Sequence, residues 1–163
     1  MMLRFLRAWL PVVAMCAIIF ALSQDSSSGR HSDEVLGWLL SLVGKNSPHL
    51  RHLLNPDFRK CAHVTVYFFL AAFTYRGFRM GRSGFQFAGA TRSLLFSAAY
   101  AATDEYHQSF IASRGPSVRD VGIDTCGALL ALVLIWLFSR SHARGDSPPP
   151  KPYTPVPHVI ESP

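Results

Sequence analysis

The chain has 163 residues, enough for one domain, with 49% of them hydrophobic, 16% charged and a mean hydropathy of +0.19. Its net charge of +6 is compatible with nucleic acid, yet the arginines flank apolar runs and no basic patch is interleaved with aromatics, which argues against a nucleic-acid partner. Three cysteines, none in C-x-x-C spacing, argue against a disulfide framework or a zinc ribbon and read as buried free thiols.

In chain order, residues 5–22 form an apolar run broken only by Arg7, close to the roughly 20 residues that cross a bilayer. A signal peptide is the rival reading of this stretch, since a basic start precedes it and small residues stand at Ala21 and Ser23. The polar segment that follows is punctuated by Gly29, Pro48 and Pro56. It holds one apolar patch, Val35 to Val43, too short to span. That patch predicts a short interfacial helix capped by Ser32, started by Asp33 and Glu34, with Trp38 at head-group level.

A second span is expected over residues 61–78, closing at Arg76, Arg79 and Arg82. The third, 85–103, is rich in small residues such as Gly89, Ser93, Ser97 and Ala101, which suit close helix packing. The fourth, 121–138, ends at Arg140. From Ser141 onward the chain carries seven of its eleven prolines and no core-forming run, so it predicts a disordered tail. The expected fold is therefore all-α. It comprises a four-transmembrane-helix bundle over residues 1–140, a short interfacial helix in the first outer loop, and a disordered Pro-rich tail over 141–163. Three arginines in residues 76–82, with Arg4, Arg7, Arg140 and Arg144, place both termini and the middle loop in the cytoplasm by the positive-inside rule.

Four spans of this parity bring the start of the second, the end of the third and the start of the fourth to one outer boundary. Lys60, His63 and Tyr67 are spaced i, i+3, i+7, while Asp104 and Gln108, and Asp120 and Asp124, are each i, i+4. Each helix thus offers a polar stripe at the same end, and Arg114 lies in the turn between the last two. Asp104 and Glu105 are adjacent and point about 100° apart on a helix, which disfavours a two-carboxylate glycosidase.

Lys60-x-x-His63-x-x-x-Tyr67, then Asp104-Glu105-x-x-Gln108, Arg114, Ser117-x-x-Asp120 and Gly127, resemble the VanZ-like family of small membrane proteins. The resemblance covers roughly Trp9 to Phe138. Asp124 departs from it, because an asparagine often stands four residues after the aspartate. The resemblance implies a cell-envelope membrane protein and a link to teicoplanin tolerance, the trait of the member that names the family.

Two readings of the polar cluster follow. In the first, an outward-facing pocket takes a lipid-linked or peptidoglycan-related substrate or another anionic ligand. Glu105 or Asp104 then serves as general acid/base and His63 as proton relay. Lys60 and Arg114 bind the anion; Tyr67, Gln108, Asp120 and Asp124 complete the binding set. In the second, the protein is a non-enzymatic binding or scaffold protein whose charges only lock helix ends: Arg114 bridges Glu105 and Asp120, and Lys60 pairs with Asp104 or Asp124. Membrane lipids are the expected surroundings in either case. His49-x-x-His52 lacks further ligands, so no metal is expected, and the absence of a Gly-rich phosphate loop argues against a nucleotide cofactor.

Overall fold

The computed structural model describes residues 2–24, 28–110 and 117–145. These form five helices and no strand: α1 (Met2–Gln24), α2 (Ser28–Leu42), α3 (Pro48–Arg79), α4 (Phe87–Gln108) and α5 (Val118–Gly145). Residues 146–163, and with them most of the expected tail, lie outside the described residues, whereas 141–145 continue α5.

Helix α3 is central and touches the other four. Trp9 of α1 stacks edge-on against Phe78 at the far end of α3, while the Cys16 carbonyl accepts the Tyr100 hydroxyl at 2.6 Å and Phe20 meets His107. These contacts set α1 antiparallel to α3 and parallel to α4. The pairs Thr74–Ser93 and His63–Asp124 set α4 antiparallel and α5 parallel to α3. Four long helices therefore alternate in direction.

The packing seams follow helical periodicity. Gly89, Ser93, Ser97 and Ala101 recur every four residues on α4 and are all buried, as the small residues in this stretch predict. Against them α3 buries Tyr67, Leu70, Ala71, Thr74 and Tyr75, and α5 buries Gly127, Ala128, Ala131 and Leu132. Hydroxyls pass between helices at mid-height. Thr74 Oγ1 lies 2.6 Å from Ser93 Oγ, which also donates to the Ala71 carbonyl at 2.7 Å. Ser93→Ala is expected to cost about 1 kcal/mol, read as a modest drop in the thermal midpoint in detergent. An unchanged midpoint would remove this hydroxyl pair from the packing account.

Among the described residues two helices, rather than four, are long and apolar enough to cross a membrane by length and composition: Met2–Ser23 and Val118–Ser141, both of mean hydropathy 2.2. Only 11% and 28% of these windows are buried, so they present bare apolar surface rather than the core of a soluble globule. Helices α3 and α4 fall short because exposed Arg76 on α3 and exposed Arg92 on α4 add charge to helices whose buried faces already carry Tyr67, Thr74, Tyr75, Gly89, Ser93 and Ser97.

The first loop differs most from expectation. Helix α2 starts at Ser28, four residues before the expected Ser32 cap, and Ser32 Oγ instead donates to Asn55 Oδ1 at 2.7 Å. Asp33 accepts from Arg51 at 2.8 Å, so α2 is tied to α3 by two polar contacts. Helix α3 begins at Pro48, thirteen residues before the expected second span. Ser47 caps it by accepting the Leu50 N–H, Pro48 sits in the first turn where its missing N–H costs nothing, and Pro56 is carried inside. All three cysteines are free, but Cys61 and Cys126 are exposed rather than buried.

Candidate functional site

The polar stripes meet where the N-terminal half of α3, the end of α4 and the start of α5 converge. A cavity of about 210 Å³ there is lined by Arg59, Lys60 and His63 of α3, Glu105 and Gln108 of α4, and Asp120 and Asp124 of α5, with Pro56 and Ile123. Six of the nine residues singled out from sequence line it. Asp104 and Tyr67 stand behind it, and Arg114 lies outside the described residues, so the expected Arg114 bridge to Glu105 and Asp120 does too.

Helix ends build the site. Ser117 Oγ accepts the Asp120 N–H at 3.3 Å at the start of α5, a side-chain cap of the helix. The Ser117 backbone N–H donates to Glu105 Oε1, placing a carboxyl from α4 against the positive end of α5. Burial raises the Glu105 carboxyl above the ordinary glutamate range; the Ser117 N–H opposes this, and Asp120, Asp104 and Asp124 add to the rise. A buried carboxyl with a raised proton affinity is a candidate for acid–base work.

Asp124 is buried and faces His63, whose Nδ1 lies 3.5 Å from Oδ1. This corrects the expected Lys60 pairing with Asp104 or Asp124. Lys60 instead points toward Asp57 at 3.9 Å on the exposed side, because positions 57 and 60 share a helix face while Asp124 is reached by the more inward His63. Asp104 accepts a hydrogen bond from Gln108 Nε2 at 3.1 Å, which orients the amide at the cavity wall. The Tyr67 hydroxyl is fully buried, within electrostatic range of Asp104 and Asp124, and without a hydrogen-bond partner among the described residues. Such an orphan below a polar cavity marks a place for water or a ligand group. A His63→Ala, Asp124→Asn double-mutant cycle is expected to give a coupling of about 1 kcal/mol, at the low end because His63 is partly exposed. Additive midpoints would show that the contact couples nothing.

Arg59 was not among the residues singled out, although it stands i−4 from His63 and therefore on the same stripe. Its place at the start of an apolar run reads as a topology signal, and that masks it. Nearby, His31 lines a neighbouring groove and His107 packs on Phe20, while His49 and His52 sit exposed at the start of α3.

The described residues are all helical, with two apolar helices long enough to cross a membrane and a polar cavity at one end. The family model VanZ/LLP1 matches residues 8–139, and the chain belongs to that family. No curated protein and no solved structure matches the chain.

Proposed function

We propose that this is a four-span protein of the bacterial cytoplasmic membrane, termini inside, whose cavity faces outward and acts in cell-envelope biology on a lipid-linked or peptidoglycan-related substrate. The observation that carries the reading is the cavity itself: Lys60, His63, Glu105, Gln108, Asp120 and Asp124 converge from three helices on one space of about 210 Å³. Alternating helix directions support four crossings, and the opposite end carries Arg4, Arg76 and Arg79, as a cytoplasmic face should. The stacking of Arg140 on Trp136, at 4.8 Å, suits an interfacial anchor at that same end.

In this reading Glu105 exchanges a proton with the substrate, and His63, held by Asp124, relays it. Gln108, fixed by Asp104, orients the bound group, and Lys60 supplies positive charge at the rim. Arg114 belongs to the same proposal as a second cation. The test is glycopeptide susceptibility. Cells making the protein should tolerate more teicoplanin than matched cells without it, and equal susceptibility would sink the glycopeptide link.

A competing reading, a scaffold whose charges only lock helix ends, draws on the Glu105–Ser117 and His63–Asp124 contacts. The two diverge at Glu105, as argued below.

A further inference from the structure

Beside the polar cavity lies a second space of about 240 Å³ between α1, α2 and α3, walled mainly by Ile19, Leu22, Val35, Ala62 and Val66. Leu22 and Val35 are about half exposed, so the groove opens sideways on the apolar surface of the molecule. Both spaces share Arg59 and His63. Apolar groove, guanidinium and carboxylate cavity therefore follow one another along a single path.

The charges along that path are ordered. Arg59, with no carboxylate within ion-pair distance among the described residues, stands at the junction, with Lys60 next to it. Beyond them the cavity presents Glu105, which accepts the Ser117 N–H, Asp124, with His63 at 3.5 Å, and Asp120; no described lysine or arginine reaches ion-pair distance of the three. Cation first and carboxylates deeper is the complement of a head group that carries its anion next to the tail and its cation at the tip. A phosphoethanolamine head has that order. A phosphate at Arg59 accepts from a planar fork of donors, and a primary ammonium brings three N–H donors to the carboxylates.

We infer that the two spaces form one binding site for a zwitterionic aminophospholipid, acyl chain in the α1–α2–α3 groove, phosphate at Arg59 and ammonium at the Glu105, Asp120 and Asp124 carboxylates. The inference rests on the reading of the cavity as a substrate site and names the class of that substrate.

The experiment is native mass spectrometry of the full-length protein in detergent, titrated with dioleoyl phosphatidylethanolamine, phosphatidylglycerol and phosphatidylcholine. The wild type should hold phosphatidylethanolamine about tenfold more tightly than phosphatidylglycerol, the factor expected for a charge-assisted contact that only the ammonium makes. Phosphatidylcholine, with no N–H to donate, should follow phosphatidylglycerol. Arg59→Gln should weaken binding of all three, and Asp120→Asn should shrink the preference while leaving phosphatidylglycerol binding unchanged. Equal binding of the three lipids by the wild type overturns the proposal without need of any variant, as does a preference that survives both substitutions. The envelope role fails separately: a clear phosphatidylethanolamine preference in a protein that never alters glycopeptide susceptibility upholds the lipid site and withdraws only that role.

Discussion

Gly127→Ala is expected to lower the thermal midpoint and to draw His63 away from Asp124. A Cβ at position 127 would lie 2.5 Å from the Val64 carbonyl oxygen and 3.0 Å from the Val64 Cα, both backbone atoms that cannot swing aside. The whole of α3 must retreat from α5, and His63 is the residue before Val64. Overpacking of this kind costs about 1–3 kcal/mol, and a retreat of even half an ångström takes the 3.5 Å His63–Asp124 contact beyond useful range. Gly122 supplies the control on the same helix, since nothing lies within 4 Å of a Cβ there. Gly122→Ala should be neutral or stabilise by about 0.5–1 kcal/mol through helix propensity. Equal midpoints for the two variants would mean that the close approach at Gly127 does not hold the site together.

The second large effect is expected at Glu105. Its carboxyl accepts the Ser117 N–H, and a glutamine can accept the same bond through its amide oxygen, so Glu105→Gln should fold. What the amide cannot do is exchange a proton, and loss of a general acid or base typically costs about 10²–10⁴-fold in rate. The proton also leaves a mark on stability. The folded chain binds it more tightly than the unfolded chain does, so the wild type is steadiest with Glu105 protonated and loses that contribution as pH rises through and above the ordinary carboxylate range. Between about pH 4, below the ordinary glutamate value, and about pH 8, thermal midpoints should therefore fall further for the wild type than for Glu105→Gln. Parallel falls would show that Glu105 carries no excess proton affinity.

The convergence of Lys60, His63, Glu105, Gln108, Asp120 and Asp124 was legible in the sequence because it needs only helix periodicity and alternating direction. The same logic separated Asp104 from Glu105: one lines the cavity and the other stands behind it, bonded to Gln108. Partners were harder to read. Periodicity says which residues share a face but not how deep each reaches, so Lys60 was matched to a buried acid when it turns outward to Asp57. The length of α3 was hidden by Pro48 and Pro56, which read as loop punctuation although one occupies a first turn and the other is held inside a helix braced by α2. Helices α3 and α4 are less apolar than the other two long helices because inward-facing hydroxyls and tyrosines and the exposed Arg76 and Arg92 lower their hydropathy together. Gly127 could be seen as a small residue, but its contact with the Val64 backbone belongs to the packed pair and has no signature in either helix alone.

The most direct test of the claim that the cavity performs a task is teicoplanin tolerance of cells making the wild type or Glu105→Gln at equal membrane levels, with the midpoints of both proteins in hand. Protection by the wild type and none by a Glu105→Gln protein that melts normally is the predicted result. Equal protection by both would contradict it and leave Glu105 as a brace between α4 and α5.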